Sequence, residues 1–135
     1  MAVDPGSKRV GVALSDESRR LASAYRTLPA EPAGTLVQRL AATAAEAGAE
    51  RLLVGLPKNM DGSSGPQAKA ARELADRLRT EAGIPVELVD ERLSSVAAER
   101  QLIAGGMRRD KRRTVVDEVA ATLLLQSWLD GHRAR

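Results

Sequence analysis

Ala2-Val3-Asp4-Pro5-Gly6-Ser7-Lys8-Arg9-Val10-Gly11-Val12-Ala13-Leu14 is the stretch whose reading decides the fold. Val10 to Leu14 is a short β-prone run, and it follows a glycine-containing turn, Asp4-Pro5-Gly6-Ser7. A first strand must then already lie at Ala2-Val3-Asp4, which is unusually short. Strand, tight turn and strand predict an antiparallel hairpin at the start of the chain.

Outward from this hairpin the elements alternate in type. Ala22 to Leu28 reads as a further strand. Pro32 to Ala47 carries Leu36, Leu40, Ala44 and Ala47 near helical spacing, and Gly48 stops it. Arg51 to Leu56, with Leu52, Leu53 and Val54, reads as a short buried strand before Pro57. Pro57 to Gly65 is rich in Gly, Ser, Asn and Asp and reads as a loop, and Gly65-Pro66 then opens a helix running to about Glu81. Val86 to Asp90 reads as a strand buried on both faces, bounded by Pro85. Ser94 or Ser95 is placed to cap a helix that ends at Gly105-Gly106. A basic loop follows, then a last helix from about Thr114 to Asp130. No repeat, low-complexity tract or linker interrupts this order. The expectation is one α/β domain over residues 1–135, a mixed five-stranded sheet in which the later strands are parallel, with helices on both faces.

Composition narrows the chemistry. The 135 residues contain no cysteine, which excludes a thiolate nucleophile, iron–sulfur clusters and cysteine-bound zinc. His132 is the one histidine, so a Ser–His triad or a histidine-rich metal site is nearly excluded as well. No apolar run approaches a membrane span and no signal peptide precedes the first motif, so a cytoplasmic protein with no membrane partner is expected. The net charge of +3 hints at a polyanionic partner. Tyr25 and Trp128 are the only aromatic side chains besides His132, so nucleic-acid contact must rest on phosphates, shape and metal ions more than on base stacking.

Three carboxylates stand at the ends of expected elements. Asp4 ends the first strand, Glu91 follows the strand Val86–Asp90, and Asp117 lies in the first turn of the last helix. Asp117 is about two helical turns before Leu124, near the stripe formed by Val116, Val119, Ala120, Leu123 and Leu124. Taken singly each has a plain structural reading. Asp4 suits an Asx turn, Glu91 can pair with Arg92, and Asp117 favours a helix N-terminus. Taken together at one sheet edge they would repel unless cations neutralise them. Oxygen ligands of this kind suit Mg²⁺ or Mn²⁺, and two such ions can activate water and stabilise the leaving oxygen of a phosphodiester.

Four segments, in order, carry a family resemblance: Asp4-Pro5-Gly6-Ser7-Lys8-Arg9-Val10-Gly11-Val12-Ala13; Val54-Gly55-Leu56-Pro57-Lys58-Asn59-Met60-Asp61-Gly62-Ser63 followed by Gly65-Pro66-Gln67; Val89-Asp90-Glu91-Arg92-Leu93-Ser94; and Val116-Asp117-Glu118-Val119-Ala120-Ala121. Nearly the whole chain resembles the YqgF/RuvX family of Holliday-junction-resolvase-like nucleases. The resemblance implies a ribonuclease H-like fold, maturation of the 5′ end of pre-16S ribosomal RNA, and catalytic acids at Asp4, Glu91 and Asp117. The family usually has several apolar residues before its first aspartate, whereas here only Met1, Ala2 and Val3 precede it. A clipped central strand is therefore expected, unless the start lies further upstream.

Around the acids stand candidates for substrate contact. Lys8 and Arg9 follow the glycine turn, Asn59 and Asp61 occupy a loop beside the expected strand ends, and Arg92 adjoins Glu91. Arg108, Arg109, Lys111, Arg112 and Arg113 form a basic run before the helix that bears Asp117, and phosphate binding is their favoured role. Each also has a plain reading as solvated surface or ion pair. Gly62 and Gly65 suit turns, His132 reads as tail, and Trp128 reads as core or a dimer contact. The leading function is a metal-dependent nuclease, with Asp4 and Asp117 holding the ions and Glu91 coordinating or orienting the water. Its partner is precursor rRNA or branched DNA, and the protein is a monomer or a homodimer, the latter suited to a two-fold junction. An actin-like nucleotide-binding enzyme shares the opening turn but needs a second lobe. A non-catalytic ribosome- or polymerase-binding factor would not need all three acids.

Overall fold

Short runs rich in Val, Leu and Ala form the inner strands, the outer strand Ala22–Pro29 is more polar, and helices fill the longer intervals between the parallel strands. The computed structural model describes residues 1–6, 8–57, 65–91 and 109–132, with the backbone alone for 109–118. The strands are β1 (Ala2–Pro5), β2 (Arg9–Ser15), β3 (Ala22–Pro29), β4 (Leu52–Leu56) and β5 (Val86–Asp90). Among the described residues the helices are α1 (Ala33–Ala47), α2 (Pro66–Ala82) and α3 (Arg109–Gly131).

The five strands form one sheet in the order β3-β2-β1-β4-β5, so the shortest strand is the middle one. β1 and β2 pair antiparallel, with Asp4 opposite Gly11, as the opening turn requires. β2 and β3 are also antiparallel, with a register shift between Val12 and Ala13. β4 lies parallel to β1 and β5 lies parallel to β4. The mixed sheet and N-terminal hairpin expected from the sequence are both present.

Period-two alternation divides the strands between two cores. Val3, Val10, Val12, Leu52, Val54, Leu56 and Val86 face α1 and α2, where they meet Val37, Leu40, Ala71, Ala75 and Leu78. Ala2, Ala13 and Leu53 face the other way and meet Ala120, Ala121, Leu124, Leu125 and Leu129 of α3. Helices thus cover both faces. Gln126 ties α3 to the sheet edge: its side-chain oxygen accepts from the Ala22 N–H at 2.9 Å, and its amide donates to the Arg20 carbonyl at 2.8 Å. The β2–β3 turn is organised by Asp16, which accepts from the backbone N–H groups of Arg20 and Leu21 and from the Ser18 hydroxyl. The Arg20 N–H above all, then the Ser18 hydroxyl, hold the Asp16 carboxyl below the usual range.

Three expectations are corrected. Among the described residues β5 is an edge strand of the sheet, and Glu87 to Asp90 are half-buried; within it only Val86 is buried, so the strand is not covered on both faces. An edge strand has a neighbour on one side only, which exposes its outer flank. The basic run is not all loop: the backbone at Arg109, Lys111, Arg112 and Arg113 belongs to α3. Arg and Lys are good helix formers, and no glycine or proline separates them from Thr114. His132 is not a loose tail. Its ring stacks on Trp128 at 3.8 Å between centroids, and its Nδ1 lies 2.7 Å from the Trp128 carbonyl oxygen. Trp128 itself packs beside the α3 core and donates from Nε1 to Glu87 at 3.3 Å, with the Arg51 guanidinium over its ring. The expected helix after Ser94 lies outside the described residues.

Candidate active site

Strand alternation places Asp4 on the same face of β1 as Ala2, the face that α3 covers. The parallel register pairs Val3 with Val54, which puts Asp4 beside Gly55, while Gly11 stands opposite it on β2. A glycine therefore flanks Asp4 on each neighbouring strand, leaving side-chain space on either side. The carboxylate is nonetheless enclosed, with 1% of the residue exposed.

Glu91 reaches the same place from β5. The register pairs Gly55 with Val89 and Leu56 with Asp90, so Glu91 leaves the sheet one residue past its last pair. It too is buried, at 9% exposure. A Cβ built on Gly55 would lie 3.3 Å from Asp4 Oδ1 and 3.4 Å from Glu91 Oε1. The two carboxylate oxygens are thus no farther apart than the sum of those distances. Both sit at the C-terminal ends of parallel strands, the end where α/β sheets gather ligands.

The third acid is placed by its helix. Leu124 Cδ2 would lie 3.2 Å from the same point at Gly55. Further along α3, Leu125, Trp128 and Leu129 line a cavity of about 460 Å³ beside Met1, at the opposite end of the sheet. α3 therefore runs antiparallel to β1 and β4, with its N-terminal half toward Asp4. The backbone of Asp117 lies in that half, about two turns or 10 Å along the axis from Leu124. Its side chain is outside the description.

The other expected contacts fall unevenly. Lys8 is exposed and Arg9 half-buried at the tip of the β1–β2 hairpin, beyond Asp4 at the same end of the sheet. The Gly6 N–H donates to the Arg9 carbonyl at 2.9 Å, closing this turn. Gly65 takes an extended conformation just before α2, and Pro66 occupies the first turn. Asn59, Asp61, Gly62, Arg92 and Arg108 lie outside the described residues, and Arg109, Lys111, Arg112 and Arg113 are described by backbone only. Gly55 is the site residue that position-by-position reading passed over. The signal was available: a glycine inside an apolar strand often marks a close approach.

Comparison with known proteins identifies the family and the fold. The family model described as "RuvX: Holliday junction resolvase" matches residues 1–131. A protein of Roseiflexus sp. (strain RS-1) is 44% identical over 133 residues, covering 98% of this chain and 94% of its own. One of Geobacillus thermodenitrificans (strain NG80-2) is 46% identical over 135 residues, covering 98% of each. Both bear the name "Putative pre-16S rRNA nuclease". Among solved structures, T. thermophilus RuvC in complex with a Holliday junction substrate superposes with a TM-score of 0.60 at 15% identity, covering 98% of this chain and 95% of that one. That likeness shows the fold, which is ribonuclease H-like. With a family model spanning the sheet, both glycine-flanked acids and α3, and with full-length relatives above 40% identity, the chain belongs to the RuvX family.

Proposed function

We propose that this protein, a phosphodiester-hydrolysing enzyme by its family, cuts its substrate at the buried acids Asp4 and Glu91, with Asp117 of α3 completing the set. The observation that carries the reading is the convergence of the Asp4 and Glu91 carboxylates on Gly55. A fold has no need to bring two buried carboxylates together, because their mutual repulsion and desolvation disfavour the charged pair. Two enclosed groups of oxygen donors fit a hard divalent cation, Mg²⁺ or Mn²⁺, bound as one ion or two. Asp4, Glu91 and Asp117 would hold it, and when bound it supplies charge neutralisation and Lewis acidity at the phosphodiester.

The remaining chemistry belongs to the chain. Asp4 is fixed on the central strand of the sheet, so its oxygens are held without loop motion. Glu91 stands one residue beyond β5, where it can orient a water molecule and take its proton. The low exposure of Asp4 and Glu91 limits the access of bulk water to the acids. Lys8, Arg9, Arg92 and the run Arg108, Arg109, Lys111, Arg112 and Arg113 bind phosphates of the substrate, and Asn59 contributes a polar contact. Attack of water breaks one P–O bond and forms another, with the leaving oxygen taking up a proton.

The names borne by the full-length relatives favour precursor ribosomal RNA, cut in maturing the 5′ end of 16S rRNA, in the cytoplasm. The family description favours a second substrate, the four-way DNA junction, which would call for a two-fold dimer. Among the described residues no helix is long and apolar enough to cross a membrane. The test is cleavage of a pre-16S RNA fragment and of a four-way DNA junction, each with Mg²⁺, with Mn²⁺ and with chelator. Cleavage of the RNA that chelator abolishes is the expected result. Cutting of the junction alone would transfer the assignment to DNA, and cutting in excess chelator would remove the metal from the account.

A further inference from the structure

Gly55 stands inside a strand whose five residues are all buried, between Val54 and Leu56. Glycine weakens a strand, because it has no side chain to pack and loses the most backbone freedom on folding. Its backbone does not take the left-handed conformation that would require glycine. The reason for a glycine here must be space, and three neighbours from three separate elements take that space. They are Leu124 of α3 at 3.2 Å from the Cβ position, Asp4 of β1 at 3.3 Å and Glu91 beyond β5 at 3.4 Å.

We propose that Gly55 is a positioning residue, whose missing Cβ is the gap in which the two carboxylates meet and across which α3 approaches the sheet. The inference rests on the reading of Asp4 and Glu91 as the acids of the site. Carbon atoms in ordinary contact lie about 3.5–4.0 Å apart, so a methyl group at residue 55 would push Leu124 outward. It would also press on Asp4 Oδ1 and come into contact with Glu91 Oε1, two oxygens whose separation decides whether both can hold one cation. Leu124 belongs to α3, the helix whose backbone carries Asp117 two turns away, so the crowding falls on that helix. The hydrogen atom at residue 55 thus sets the room left to the Asp4 and Glu91 carboxylates without touching the substrate.

The test is Mn²⁺ binding to Gly55→Ala by titration calorimetry, beside cleavage kinetics. Mn²⁺ affinity is expected to fall about 10- to 100-fold, the range found when residues supporting metal ligands are changed. kcat should fall while KM for the nucleic acid stays near that of the native protein, because the phosphate-binding residues are untouched. A loss of packing alone would lower the melting temperature without this split. Leu124→Ala is added to relieve the tightest contact. In the double variant Mn²⁺ affinity should remain weak, since the methyl group still faces both carboxylates. If the single variant does not fold, the double variant carries the measurement. Native Mn²⁺ affinity in Gly55→Ala, or its full recovery in the double variant, would overturn the proposal and leave Gly55 as a packing residue under α3. Asp4→Asn separates the two layers of the argument. If it binds Mn²⁺ like the native protein, the acid site itself is wrong. If it loses Mn²⁺ while Gly55→Ala retains it, only the role of Gly55 fails.

Discussion

Replacing Asp4 by Asn is expected to lower kcat by about 10³-fold or more, a loss of roughly 4 kcal/mol in transition-state stabilisation. The side chain keeps its size, so the central strand and its pairing with Gly11 and the neighbouring Val54 should persist. What changes is charge. A carboxylate at 1% exposure, facing a second carboxylate across Gly55, is replaced by a neutral amide. Without metal the variant should therefore melt close to the native protein, because the repulsion between the two buried carboxylates has gone. With Mn²⁺ the native protein should melt higher, since ligand binding stabilises only the protein that retains its site. Single-turnover cleavage and thermal melting with and without Mn²⁺ check both halves. A variant that loses activity through unfolding would melt far below the native protein in either condition.

The second large effect concerns the basic run. Changing Arg108, Arg109, Arg112 and Arg113 together to Ala removes up to four phosphate contacts. Each contact contributes close to one unit to the slope of log affinity against log salt. The slope should therefore become shallower by up to roughly 3–4 on duplex DNA. Hydrolysis of bound substrate should suffer less than binding, because Asp4, Glu91 and Asp117 are unaltered. Binding isotherms across a salt series decide the matter. An unchanged slope would make these residues solvated surface. Lost turnover at saturating substrate with intact affinity would bring one of the arginines to the scissile phosphate.

Much of the architecture was legible because its signals are local. Glycine turns and short apolar runs mark the hairpin, and Gly48 and Gly83, both in the left-handed conformation, end α1 and α2. The positions of Asp4 and Glu91 at strand ends followed directly from those runs. The central place of the first strand came from the family resemblance, whereas the order of the remaining strands depends on long-range pairing that no local signal carries. The run Val86–Asp90 looked buried on both sides, yet as an edge strand it leaves four of its five residues half-exposed. The basic run looked like a loop because charge was read as solvation, whereas Arg and Lys propagate a helix readily. His132 looked like tail because its partner, Trp128, is a helical neighbour four residues before it. Gly55 was hidden for a different reason. A missing atom has no chemical signature until the side chains converging on it are known.

The most direct measurement is the anomalous diffraction of Mn²⁺ in crystals of the native protein. The account predicts manganese between the Asp4 and Glu91 carboxylates, in front of Gly55, with an oxygen of Asp117 as a further ligand. Manganese bound only elsewhere on the protein, with those two carboxylates free of it, would contradict the account.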